Sequence, residues 1–157
     1  MKGGEDMAAY KWKLNGFYSA TADQAAQAFK EIESKTKLTA EAVVEYSKPE
    51  DSVLHNDFEW NDDVAAHQYR LQQARCMIGN LTVTVEQDDS AAEPVRAYFH
   101  IAEKKAYERA EVVVQDEDKM ASVRKEARRE LEAFERKYRR ISGLSEILSN
   151  IRQFLED

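Results

Sequence analysis

The hydrophobic period changes twice along this chain, and no single type of secondary structure accommodates both patterns. Apolar residues recur at helical spacing over Ala22–Ile32, Ala42–Tyr46 and Val64–Ile78. At Leu81 they begin to alternate, with Leu81, Val83 and Val85 set against Thr82 and Thr84, and helical spacing returns after Asp116. A helix groups residues three and four apart, whereas a strand sends neighbours to opposite faces. The pattern therefore predicts an α+β protein with N-terminal helices, a small antiparallel three-stranded sheet and a C-terminal helical pair. Glycine (5) and proline (2) are scarce, which argues against a many-stranded sandwich with its frequent turns.

Local signals place the elements. Thr21 and Gln24 have capping-box spacing ahead of Ala22, Ala25, Ala26, Phe29 and Ile32. A second helix is expected from Thr39 to about Ser47, ended by Pro49. Asn61 or Asp62 is expected to cap a third helix, with Gly79-Asn80 as its stop. Residues 10–20 are aromatic-rich without a period, and 48–60 read as a loop anchored by Val53, Leu54, Phe58 and Trp60. Strands are expected at 81–85, around 95–101 and ending in Val112-Val113-Val114, with an acidic turn over 86–94. Residues 10–115 then form the α+β core. Residues 116–157 form two amphipathic helices broken at Ser142-Gly143, packed on the core or on a partner.

Much chemistry is excluded. Gly16, Gly79 and Gly143 are too far apart for a phosphate-cradling loop, and no nucleophile elbow is present. The single cysteine, Cys76, offers no disulfide; beside Met77 and Ile78 it reads as a small buried hydrophobe rather than a thiol served by His55, His67 or His100. No apolar run approaches the ~20 residues of a membrane span, and the acidic start has no apolar leader segment. A cytoplasmic protein without a cofactor is the expectation.

Two polar clusters remain. His55, Asp57, Glu59, Asp62, Asp63 and His67 form a His-and-carboxylate set of the kind that holds a divalent ion in a metal-dependent enzyme, although the acids equally suit a helix N-terminus. The chain carries a net charge of −7, yet residues 119–140 hold nine basic and four acidic side chains. The basic set is Lys119, Arg124, Lys125, Arg128, Arg129, Arg136, Lys137, Arg139 and Arg140. It reads either as a phosphate-neutralising helical face or as a solvated helix laced by Glu126, Glu130, Glu132 and Glu135. Along the same helix Ala127, Leu131, Phe134, Tyr138 and Ile141 step as a heptad seam, suited to a homodimer, another protein or an internal neighbour. A helix-turn-helix at 21–47 is disfavoured, because Glu41 and Glu45 would face DNA phosphate.

The stretch 54–75 follows the pattern LHxxFEWxDxxAAxxYRxxQAR, carried by Leu54, His55, Phe58, Glu59, Trp60, Asp62, Ala65, Ala66, Tyr69, Arg70, Gln73, Ala74 and Arg75. This pattern, with the strands and the RRELEAFERKYRR segment after it, resembles an uncharacterised bacteriophage- and prophage-associated protein family. The resemblance implies a mobile-element setting and supplies no catalytic residue. Physically, Phe58 and Trp60 are expected to dock the loop, the alanines to allow close helix packing, and Arg70 and Arg75 to pair with Glu59 and Asp62. The functional expectation is a non-catalytic accessory protein that binds another macromolecule, such as a DNA-processing enzyme. Direct DNA binding through 119–140 and a metal enzyme at His55–His67 are the alternatives.

Overall fold

The protein, a computed structural model, is described over residues 8–61, 63–85 and 93–157. It is α+β and divides into two compact units, Met1–Val112 and Val113–Asp157.

The first unit opens with strand β1 (Ala8–Trp12), followed by helices α1 (Ala22–Lys35), α2 (Ala40–Ser47) and α3 (Val64–Asn80). Strands β2 (Leu81–Val85), β3 (Val95–Arg96), β4 (Tyr98–Ile101) and β5 (Ala106–Arg109) come next, then the short helix α4 (Ala110–Val113). The capping box forms as expected: Thr21 Oγ1 accepts from the Gln24 amide at 3.1 Å, and Gln24 Oε1 accepts from the Thr21 amide at 2.9 Å. Thr39 caps α2 through the Ala42 amide.

Alanines at 22, 25, 26 and 28 line the buried face of α1 beside Phe29 and Ile32. Short side chains there let neighbouring elements approach closely. Phe29 is fully buried and meets Tyr98 edge to face at 5.6 Å. Tyr98 is buried too, and its hydroxyl donates to Glu33 Oε1 at 2.6 Å. Burial, then the hydrogen bond and charge of Glu33, raises the Tyr98 pKa far above its ordinary 10.0.

The strands make two sheets among the described residues. β1-β2-β3 form one antiparallel sheet, and β4-β5 a separate hairpin. Ala8 lies opposite Val85 and Trp12 opposite Leu81, so residues 10–12, expected to lack a period, lie in a strand. The expected strand at 95–101 is interrupted at Ala97, whose amide donates to Leu81 O while its carbonyl accepts from Ala110. The expected third strand, ending in Val112-Val113-Val114, is shorter than expected: β5 stops at Arg109, and Ala110–Val113 is helical. β5 already pairs with β4 through Tyr98↔Arg109, and β-branched residues make a strand only where a neighbour offers a ladder. Of the expected acidic turn, residues 86–92 lie outside the described residues.

α3 departs from expectation at its start. Its N-cap is Asp63, not Asn61 or Asp62, and Asp62 lies outside the described residues. At its other end α3 stops at the expected Gly79-Asn80, with Gly79 itself still helical, and passes straight from Asn80 into β2. Asn80 fixes this junction: its carbonyl accepts from the Lys13 amide at 2.7 Å and its Oδ1 from the Leu14 amide at 2.8 Å.

The second unit contains α5 (Glu117–Tyr138) and α6 (Ser145–Glu156). Asp116 caps α5 by accepting from the Asp118 and Lys119 amides. Gly143 turns the chain between the helices at φ +87°, a conformation in which side chains are strained. Leu148 and Ile151 of α6 are buried, while Leu144 and Leu155 are half-buried. No helix among the described residues is long and apolar enough to cross a membrane.

Candidate functional site

Several motif residues of the first unit, with Asp57, form a belt that ties the 48–61 segment to α3 and to the entry of α1. Leu54 and Phe58 are buried. The His55 ring lies 2.9 Å, through Nδ1, from Ser47 O and stacks on Trp60 at 5.0 Å and 7°. Trp60 Nε1 donates to His55 O at 2.8 Å. The Arg70 guanidinium sits 5.3 Å from the Trp60 ring, and its Nη1 donates to Glu59 O at 2.8 Å. Arg70 is only 6% exposed. A buried guanidinium is costly unless its donors are satisfied; here backbone carbonyls and an aromatic face do most of this. Pairing of Arg70 with the Glu59 carboxylate is therefore not found: Arg70 reaches the Glu59 backbone.

Asp57 closes the belt. Its carboxylate accepts from the Ser19 amide at 2.6 Å, the Ser19 hydroxyl at 3.0 Å and the Ala20 amide at 3.1 Å. Gln73 donates to Asp57 O and accepts from the Glu59 amide. Other motif positions face outward: Tyr69 is 58% exposed, and Ala65 and Arg75 are exposed. Of the three alanines expected to pack closely, only Ala74 is buried, and Val53 is 44% exposed rather than an anchor. The helix explains this, since Arg70, Leu71, Ala74, Met77 and Ile78 occupy its inner stripe.

The His-and-carboxylate set disperses into these structural roles. Asp63 accepts from the Ala66 amide, His67 is exposed, and His55 is held against Trp60. Among the described residues, no group of three or more His, Cys, Asp or Glu side chains converges as metal ligands. Cys76 is exposed rather than buried, because it lies across α3 from Ala74, Met77 and Ile78. His100 is exposed and packs against Tyr107 at 5.1 Å.

In the second unit the basic stretch divides. Successive residues on a helix point ~100° apart, so Arg124, Lys125, Arg128 and Arg129 fall on one broad face of ~140°, but their side chains are engaged differently. Arg128 turns to the C-terminal end of α6: it donates to Leu155 O at 2.9 Å and to Phe154 O at 3.4 Å, and lies 5.1 Å from the Phe154 ring. A cation there complements the negative helix end. Arg124 pairs with Glu117 at 2.7 Å, Arg129 with Glu126 at 3.3 Å, and Lys119 lies 3.7 Å from Asp116. Arg139 and Arg152 converge on Glu135, at 2.7 and 3.1 Å. The Arg139 hydrogen bond, with the charges of both arginines, lowers the Glu135 pKa against the opposing effect of burial. Lys137 lies over Tyr138. Among the described residues, Lys125, Arg136 and Arg140 have no acidic partner at ion-pair distance.

The heptad seam also shifts register. Glu135 is buried, and Arg128, Leu131 and Tyr138 are half-buried, which puts the packed line one residue beyond Ala127 and Phe134. Ala127 is exposed, Phe134 is 38% and Ile141 52% exposed, and Ile141 lies beyond the end of α5. On α6, Ile147 and Phe154 are each 51% exposed and, being seven apart, share a face. A two-helix unit with one packed seam thus retains two uncovered apolar rows. No family model matches this chain, and no curated protein or solved structure is significantly similar to it.

Proposed function

We propose that this is a non-catalytic accessory protein that binds another protein through its C-terminal helical pair. The observation that carries this reading is the exposure of Phe134, Ile141, Ile147 and Phe154 around a seam that already holds Leu148, Ile151 and the Glu135 ion pairs. Uncovered apolar rows with polar edges mark interaction surfaces. The unpaired Lys125, Arg136 and Arg140 favour a partner whose contact patch is apolar with acidic edges. The engagement of Arg124, Arg128, Arg129 and Arg139 within the unit argues against duplex DNA as its main ligand. The resemblance to phage- and prophage-associated proteins supports a mobile-element setting, where the partner is a DNA-processing enzyme such as a recombinase.

The test compares two tagged proteins as bait in lysate from a phage-infected host: wild type and the double variant Phe134→Ser/Phe154→Ser. One specific protein retained by the wild type and lost by the variant is the expected result, with the interaction then rebuilt from purified components. Identical capture by both baits would overturn the reading. A concentration-dependent dimer by light scattering, dissolved by the same variant, would replace the heterologous partner with a second copy of this chain.

A further inference from the structure

A second surface, confined to the first unit, has a different chemistry. Lys11, Thr82 and Arg96 stand side by side across β1, β2 and β3, in register. With Lys13, Gly79 and Pro94 they line an open cleft of about 380 Å³, walled at one edge by Trp12. Among the described residues, Lys11, Lys13 and Arg96 have no ion-pair partner, although the chain carries −7 overall. Residues 8–19 contain no acid and interleave lysine with aromatics, Tyr10-Lys11-Trp12-Lys13. Gly79 makes room for the arginine, since a Cβ there would lie 2.8 Å from Arg96 Nη2. Lys13 leads into a turn through Gly16, at φ +82°, that presents Phe17 at 72% exposure.

We infer that this sheet face binds single-stranded nucleic acid. Lys11 and Lys13 are two residues apart on one edge, ~7 Å along the chain, a spacing that suits successive phosphates. Arg96 adds a third cation across the sheet, and Phe17 offers a free aromatic plane for a base. Cationic grooves with stacking aromatics are how proteins hold unpaired strands. A cleft open to solvent suits an extended chain better than an enclosed small molecule. The inference is independent of the protein-binding surface on the C-terminal helices.

The full chain is titrated into a labelled oligothymidylate of about 12 nucleotides at low salt, with anisotropy as the readout. Saturable binding is expected, with a log–log salt slope of about −2 for three phosphate contacts. The triple variant Lys11→Gln/Lys13→Gln/Arg96→Gln should weaken binding more than ten-fold. Phe17→Ala should weaken it by roughly five- to a hundred-fold. All four side chains are exposed, so circular dichroism should remain that of the wild type. Thr82→Glu, which adds a negative charge to the cleft floor, gives an independent arm with the same expected loss. The inference is overturned by wild type that does not bind, by variants that bind unchanged, or by equal affinity for duplex of the same length. Loss of binding through Lys125→Gln/Arg136→Gln/Arg140→Gln instead would move the site to α5 and also overturn it. Sedimentation with phosphatidylserine vesicles, without oligonucleotide binding, would assign the cations to a lipid surface.

Discussion

The two units satisfy their polar groups in opposite ways. In the first, the buried Arg70 is held by backbone carbonyls and the Trp60 ring, and the core around Phe29, Leu54, Met77 and Ile78 is fully covered. In the second, the buried charge among the described residues is Glu135, held by Arg139 and Arg152, whose own side chains are 60% and 51% exposed. Apolar residues of that unit remain half in water. Single apolar side chains are exposed in both units, but in the first they lie apart from a fully covered core, whereas in the second they flank the seam that its two helices share.

The largest expected effect tests the first half of this contrast. Phe29→Ala should cost about 3–5 kcal/mol in urea denaturation, because it removes a fully buried ring and leaves a cavity. A cost below about 1 kcal/mol would show that this core is not close-packed. Arg70→Met should cost about 1–3 kcal/mol by stranding the Glu59 carbonyl, and tryptophan fluorescence should report the altered surroundings of Trp60.

Tyr98→Phe should cost about 1–2 kcal/mol at neutral pH and change the alkaline limb of stability. The folded-state pKa of Tyr98 is raised, so its contribution is complete below the ordinary 10.0 and is lost as pH rises beyond it. The variant should lose less stability above that pH than the wild type. Tyr18 and Tyr46, pushed up to about 12 chiefly by burial, keep part of the alkaline loss in place.

Glu135 should produce a smaller change at the acid end. Its folded-state pKa is lowered, so its contribution is present above the ordinary 4.5 and disappears as pH falls through the carboxylate range. Glu135→Gln should flatten the acid limb of the thermal midpoint against pH; an unchanged limb would mean that the two arginines do not hold the carboxylate. The smallest effect falls on the uncovered rows. Ile147→Ser should change stability by under about 1 kcal/mol while abolishing partner capture. A larger loss would mean that this side chain is part of the internal seam.

What was legible in the sequence was what neighbours decide. The caps at Thr21 and Thr39 and the break near Gly143 rest on side chains within a few residues of the backbone they serve. What was not legible depends on distant chain. β1 exists because Leu81–Val85, some seventy residues on, supplies its ladder. Val112-Val113-Val114 has strand chemistry without a strand to pair with. Leu131 and Tyr138 of the expected seam do pack, but Glu135 takes the place of Phe134, because an ionised glutamate in a packed line looks like a surface residue until its two arginines, one from another helix, are seen. The motif between Leu54 and Arg75 was visible as a pattern, but its meaning as a belt depends on Ser47 and Ser19, which lie outside it.

The junction at Asn80 has a mechanical consequence. With no linker between α3 and β2, rotation of the helix must twist the central strand of the sheet, and strain on that strand is passed back to the helix. Load applied at the cationic sheet face should therefore register in the amide exchange of α3, a turn or more away from any contact.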